Sequence, residues 1–453
     1  MKHYKTLLLL FSLAVLSTPP LVGSESPSSL EENPSFPLLE TTPLSWQEQP
    51  ETVETGEVPV AASPLLQMED AHVLETPVAL AGEPIEDIVA SPTEAAVSAF
   101  IKSQGLDFRT KGYQKFGVLE AEPCMGLSID GGGMRGLMPA LWLEALEELL
   151  DENEDTTYNK KSDSLYQIFE YVGGPSIGGI LALGVADGIP STTLVSLFKE
   201  HGPTIFPSSK KSWVRSLDIL NVLNLVTPRY AADSLESLLH DYFGEKTLRE
   251  AKTNILVTAC TAQGYPWIFK KGKAEGAPDY LLREVARCTS AAPTFFPAYR
   301  PSLVGREDEI QPFLVDGGLW INNPSPLIAA SLVKEHLKGF DPEKIHILSL
   351  GTGESHARAI PEHAGLIHGK TILDALMSSH SRGNHETMVQ FFEDNYYRIN
   401  PPLKKPIGLD DTSSKGLRCL EAAANQEGCK KELNRFVEAT GTLIRKKLEG
   451  EGS

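Results

Sequence analysis

After residue 16 this chain of 453 residues holds no apolar run near the ~18 residues that cross a bilayer. The mature chain is therefore expected to be soluble or peripheral. Clustered basic residues are missing too. The formal net charge is −19, which argues against nucleic acid as a partner, because phosphate binding needs concentrated Lys and Arg. Cysteine is sparse. Cys124, Cys260, Cys288, Cys419 and Cys429 form no C-x-x-C pair and no Cys/His spacing of a zinc site, so no metal is expected. An odd number leaves at least one free thiol. Cys419 and Cys429 are close enough for a disulfide outside the cytoplasm, and equally readable as two unlinked core residues.

From Ser24 to Ala95 there is no Lys or Arg, against fifteen Asp and Glu. Setting those fifteen charges and the lysines at positions 2 and 5 aside leaves residue 96 onward with a net −6. The segment is rich in Pro, Glu, Ser and Thr. Such a composition cannot bury enough apolar area to offset chain entropy, so 24–95 is expected to be a disordered tether or partner-binding tail. Ahead of it, Lys2, His3 and Lys5 precede the apolar run Leu7–Leu16, followed by Pro19, Pro20, Gly23 and Ser24. This is the three-part pattern of an export signal over residues 1–23. The alternative is an uncleaved anchor. The expected destination is the periplasm or the medium.

What remains, residues 96–450, alternates apolar strands with helical patterns. Strands are expected over Met125–Ile129, Phe169–Val172, Ile255–Ala259, Trp267–Lys270, Phe313–Val315 and Ile345–Leu350. Helices are expected over Ala95–Ser103, Leu137–Leu150, Gly178–Val185 and Pro326–Leu337. That alternation predicts an α/β fold of three layers, a mostly parallel central sheet with helices on both faces.

Three strand-end motifs carry the chemistry. Gly174-Pro175-Ser176-Ile177-Gly178 is a G-x-S-x-G string between a strand and a helix, a context that exposes a serine hydroxyl on a tight turn. The flanking Gly174 and Gly178 let strand and helix approach closely. An ordinary Gly/Ser turn is the alternative. Asp130-Gly131-Gly132-Gly133-Met134-Arg135-Gly136 offers backbone N–H groups free of side chains, which suits an oxyanion hole. It also satisfies G-x-G-x-x-G, the dinucleotide fingerprint. That reading lacks a second strand ending in Asp or Glu at the expected spacing, and leaves Ser176 unexplained. Asp316-Gly317-Gly318 follows an apolar strand and places a carboxylate able to accept a serine proton. Alone, it is a turn signature.

Taken in order, these motifs resemble the patatin-like phospholipase family, whose pattern is D-G-G-G-x-R-G, then G-x-S-x-G, then D-G-G or D-G-A. Ser290–Pro297 (SAAPTFFP), Ile347–Gly353 (ILSLGTG) and Tyr396–Ile399 (YYRI) resemble further family segments. The resemblance covers about residues 120–445. It implies a patatin-like fold with Ser176 as nucleophile and Asp316 as its general base. The oxyanion would rest on the loop of Gly131, Gly132, Gly133, Met134, Arg135 and Gly136. It implies acyl-ester hydrolysis through an acyl-enzyme, on membrane phospholipid or another acyl lipid, with peripheral membrane contact and no metal or organic cofactor. Arg135 would fix the loop or meet an anionic head group. Pro175 departs from the small residue usual before the nucleophile. A triad would need a histidine, and His346, His363, His368, His380 and His385 sit in no base motif. Ile205–Tyr230 mixes basic and apolar residues, as a lid or interfacial helix does, or a core helix with a solvated face. A nonspecific esterase or thioesterase, and an inactive interaction protein, are the competing functions.

Overall fold

The computed structural model describes residues 122–207, 228–271, 277–337, 341–354, 360, 363 and 369–450. They belong to the second of two units of the chain, Val89–Ser453. The export signal expected at 1–23, the acidic segment 24–95 and the helix over 95–103 lie outside the described residues.

Seven strands form one sheet. They are β1 Cys124–Ile129, β2 Tyr171–Pro175, β3 Asn254–Thr261, β4 Pro266–Lys270, β5 Leu314–Asp316, β6 Ile345–Leu350 and β7 Tyr396–Ile399. Their order is β4-β3-β2-β1-β6-β7, with β5 also on β3. The block β3-β2-β1-β6-β7 is parallel throughout. Strands β4 and β5 run antiparallel to β3. Parallel neighbours require crossovers, and helices supply most of them here. Those of eight residues or more are α1 Leu137–Glu152, α2 Ser176–Asp187, α3 Asp233–Phe243, α4 Leu282–Thr289, α5 Ser325–Leu332, α6 Gly369–Phe392, α7 Ser414–Ala424 and α8 Glu427–Gly450.

Both faces of the sheet are covered, which explains strands that read as apolar runs rather than as alternating patterns. Met125, Leu127 and Ile129 of β1 face a large core with Ile255, Val257, Leu348 and Leu350, packed by α1, α2 and α4. Cys124, Leu256, Ile345 and Ile347 face a second core, with Ile328 and Leu332 of α5 and Met388 and Phe392 of α6. Successive strand residues point to opposite faces, so one short run serves two cores. The three-layer expectation is met.

Several boundaries differ. Gly173-Gly174-Pro175 has the local preferences of a turn, yet it is strand: Gly173, Gly174 and Pro175 pair with Leu256, Val257 and Thr258. Helix α2 accordingly starts at Ser176 rather than Gly178. The helix expected over 326–337 is α-helical to Leu332 and finishes as a π-turn over Val333–Leu337. The five cysteines are free, Cys429 buried and Cys419 exposed, so no disulfide joins those two. Among the described residues no helix is long and apolar enough to cross a membrane.

Candidate active site

One edge of β3 brings the two candidate residues together. β2 occupies that edge up to Pro175, opposite Thr258. β5 takes it over at the next residue, with Asp316 opposite Ala259. Ala259 also pairs with Trp267 of β4, so β4 holds the other edge and the ends of β2 and β5 abut. Ser176 opens α2 where β2 stops, and Asp316 closes β5. The sheet register itself therefore makes them neighbours.

The Ser176 backbone is strained, with φ 53. A non-glycine residue in that region costs on the order of 1–2 kcal/mol, so the surroundings must hold it there. Its N–H donates to Thr289 Oγ1 at 2.7 Å, and Thr289 Oγ1 donates to the Thr258 carbonyl at 2.6 Å. Two residues on, the Ala291 carbonyl accepts the Asp316 N–H at 3.0 Å. The end of α4 thus fixes both backbones. Gly178 permits the close approach of α2 to β1: a Cβ there would lie 2.2 Å from the Ile129 carbonyl oxygen. Pro175 fits as the residue capping α2, in extended geometry at φ −92 and ψ 160.

Asp316 is buried. Burial pushes its pKa up to about 6, while the nearby Ser176 hydroxyl and the hydrogen-bonded Gly318 N–H pull it down. The Gly318 N–H reaches Oδ1 at 2.7 Å. A carboxylate with a raised pKa against a serine hydroxyl is a stronger base than a solvated one.

The glycine loop lies beside them, and its amides divide into two sets. Gly131 N–H donates to the Asn322 carbonyl at 3.3 Å, Met134 N–H to Leu409 at 2.7 Å and Arg135 N–H to Gly132 at 3.1 Å. The N–H groups of Gly132 and Gly133 have no such partner among the described residues, and both residues line the pocket that holds Ser176. Of the six residues expected in the oxyanion loop, these two combine an N–H without a backbone partner among the described residues with a place in the wall of the serine's pocket. Met134 instead lends its side chain to the pocket wall, and Gly136 packs on Ile177 and Phe198. Gly133 has φ +54, and a Cβ there would sit 2.2 Å from the Leu409 carbonyl oxygen.

The loop is anchored by side chains to which the motifs gave no role. Asp130 and Arg398 form a buried bidentate pair, Nη1 to Oδ1 at 2.8 Å and Nη2 to Oδ2 at 2.6 Å. Ser381 Oγ donates to the same carboxylate at 2.9 Å. Burial opposes the Arg398 charge, but the Asp130 carboxylate outweighs it and raises the guanidinium pKa. Thr352 Oγ1 donates to the Gly131 carbonyl at 2.8 Å. Thr289 escaped notice because it precedes the SAAP string by one residue. Asp130 and Arg398 stood inside matched stretches without a role.

Ser176 and Asp316 open on an apolar pocket of about 90 Å³. Its walls include Ile180, Phe198, Leu235, Leu238, Phe295 and Phe296. Ile205 and Phe206 also contribute; of the mixed segment that follows, 208–227 lies outside the described residues. None of the described histidines lines this pocket. His346 stands by Tyr397, its ring nitrogen 3.2 Å from the hydroxyl, and burial pushes its pKa down to about 4. His363 is exposed, and His368 is outside the described residues. Among the described residues no group of three or more His, Cys, Asp or Glu side chains could hold a metal ion.

Residues 127–328 match the model of the patatin-like phospholipase family. Patatin-like protein 2 of Oryza sativa subsp. indica is 34% identical over 255 residues, covering 51% of this chain and 61% of that protein. Patatin-T5 of Solanum tuberosum is 29% identical over 249 residues, 50% of this chain and 60% of its own. A protein named probable inactive patatin-3-Kuras 1, from Solanum tuberosum, is 29% identical over 246 residues, 50% and 62%. The chain thus spans about three fifths of the length of these relatives. The solved structure of VipD from Legionella pneumophila covers 74% of this chain and 73% of its own at 13% identity and TM-score 0.38, too distant a likeness to say anything of the site.

Proposed function

We propose that the chain, which matches the patatin-like phospholipase family over residues 127–328, is a lipid acyl hydrolase of phospholipase A type. The observation that carries the reading is the shared edge of β3, where Thr258 and Ala259 pair with Pro175 and Asp316. Ser176 Oγ attacks the acyl carbonyl carbon and its proton passes to Asp316. The oxyanion forms against the N–H groups of Gly132 and Gly133. Collapse breaks the ester C–O bond, and Asp316 returns the proton to the leaving alkoxide. Water then attacks the acyl-enzyme, again losing its proton to Asp316, and the freed Ser176 oxygen regains one as the fatty acid leaves. The apolar pocket beside Ser176 favours an acyl chain as the group retained.

A fluorophosphonate probe tests the nucleophile directly. Wild type is expected to be labelled at Ser176, and Ser176→Ala to be unlabelled. Absence of labelling of folded wild type, beside a labelled control hydrolase, refutes the reading. It would leave an inactive protein of similar sequence, as one relative is named. Lipid as substrate is tested by turnover on phospholipid vesicles against monomeric short-chain esters: a rate no higher on vesicles overturns it. We further propose export through residues 1–23, tested by N-terminal sequencing of the exported protein. An intact Met1 refutes cleavage.

A further inference from the structure

A second cavity adjoins the first and differs from it in every respect that matters to a ligand. It is roomier, about 320 Å³ against about 90 Å³. Met377 and Leu409 line both cavities, so the two chambers meet beside the glycine loop. Where α6 borders this one it does so with Thr371, Asp374, Ser378, Ser381 and Arg382, Met377 being the one apolar residue among them. That spacing is one face of a helix, and an inward helix face is ordinarily apolar.

The charges of the chamber are the informative part. Asp130 is paired with Arg398, and Glu354 with Arg382 at 3.6 Å. Arg135 and Asp374 are left. Among the described residues neither side chain makes a hydrogen bond or ion pair, and the Nε of Arg135 is buried without a partner. Burial lowers the Arg135 pKa, and the charge of Asp374 acts against that. The Asn322 Oδ1, also buried and unpartnered, sits close to Gly131: a Cβ on Gly131 would be 2.7 Å away. A buried donor or acceptor without a partner costs on the order of 1–3 kcal/mol. Arg135 and Asp374 feel each other's charge but make no hydrogen bond or ion pair, and one cation and one anion so placed in one polar cavity suit a ligand with one charge of each sign.

We infer that this chamber takes the zwitterionic head group of a glycerophospholipid, its phosphodiester on Arg135 and its ammonium on Asp374. The inference rests on the acyl-hydrolase reading for the chemistry next door, but not for the binding itself. With the acyl chain in the apolar pocket, the ester lies where the chambers meet and the head group falls into the polar one. An anionic head group satisfies Arg135 and leaves Asp374 unpaired. A neutral one satisfies neither.

Two measurements on the full chain separate this inference from that reading. The first is titration with soluble sn-glycero-3-phosphoethanolamine and sn-glycero-3-phosphocholine, followed by calorimetry or NMR. Saturable binding is expected, weakened about tenfold in Asp374→Asn and in Arg135→Gln, the factor one charge-assisted hydrogen bond supplies. The second is the ratio of hydrolysis rates on phosphatidylethanolamine and phosphatidylglycerol vesicles of the same acyl chains. A ratio above one is expected for wild type, falling toward one in Asp374→Asn and inverting in Asp374→Lys, with folding checked by circular dichroism. Binding without hydrolysis would keep the inference and refute the acyl-hydrolase reading. Hydrolysis with no binding, or with a ratio that Asp374→Asn leaves unmoved, would overturn the inference alone.

Discussion

The hydroxyl of Thr289 accepts the backbone N–H of Ser176 at 2.7 Å. This one contact ties the strained residue opening α2 to the last residue of α4, and through the Thr258 carbonyl to β3. It holds backbone rather than side chain, so it sets where the Ser176 oxygen points without touching a reacting atom.

Replacing Thr289 with Val keeps the shape and removes the acceptor. An unpartnered buried N–H costs about 1–3 kcal/mol, and Ser176 is expected to relax from φ 53. Turnover on a short-chain ester should drop about 10- to 100-fold, in kcat rather than KM, since geometry off by ~1 Å costs up to about 100-fold. Thr289→Ser retains the hydroxyl and should restore most of the rate. Steady-state kinetics of the two variants decide it. Equal kcat in Val and Ser variants would show that the tether does not position the nucleophile.

In the proposed role of base Asp316 must be ionised to take a proton, and burial pushes its pKa up to about 6. The kcat/KM profile of the free enzyme should therefore fall on the acid side with a midpoint near that value. The same shift bears on stability with the opposite sense. The folded group binds its proton more tightly than the unfolded one, for which 3.8 is the ordinary value. Its stabilising contribution is thus complete below about pH 4 and is lost as pH rises through 6. Two pH units correspond to about 3 kcal/mol. Asp316→Asn should lose activity by orders of magnitude and yet melt at a higher temperature than wild type at pH 8. A lower melting temperature at pH 8 would show that the buried carboxylate is stabilised by its hydrogen bonds more than burial costs.

Asp130 and Arg398 bear on the loop from below. Arg398→Met strands a buried carboxylate, and breaking such a pair from one side costs about 3–5 kcal/mol. Chemical denaturation should show that loss. Ser381 and Ser349, both hydrogen-bonded to the guanidinium at 3.1 and 2.8 Å, lose a partner too. In Asp130→Leu/Arg398→Met both charges go, and stability should recover in part. A double variant no more stable than Arg398→Met would indicate that the loop needs the ion pair itself.

How much of this was legible in advance varies with the kind of signal. Strands β1 and β6 read correctly to within a residue because both faces are covered and most positions are apolar, Ser128, His346 and Ser349 being the polar ones. β2 misled: Gly173-Gly174-Pro175 carries turn preferences, and only its pairing with Leu256, Val257 and Thr258 makes it strand. β7 was legible as a segment and not as a strand, being four residues long. At the site, Ser176, Asp316 and the glycine run announced themselves because their backbones must do something unusual next to a strand end. Thr289, Arg398 and Asn322 gave no such sign. Each matters through one hydrogen bond or one close approach to a residue far along the chain, and a single sequence holds no trace of partners at that range. The polar face of α6 was detectable: Thr371, Asp374, Ser378 and Ser381 fall at helical spacing in a segment left unassigned.

The apolar pocket makes one more demand. Leu238, on α3, faces it with Leu235 and Phe198 and is itself buried. Leu238→Trp adds a ring to a pocket of about 90 Å³, where overpacking by a few atoms typically costs about 1–3 kcal/mol. A short acyl chain stays near Ser176, whereas a long one must pass α3. The ratio of turnover on palmitoyl to butyryl p-nitrophenyl esters should fall about tenfold or more in the variant, 1.4 kcal/mol being a factor of ten. Leu238→Ala should move the ratio the other way. If both variants leave it where wild type does, the acyl chain does not run along α3, and the pocket serves packing rather than substrate.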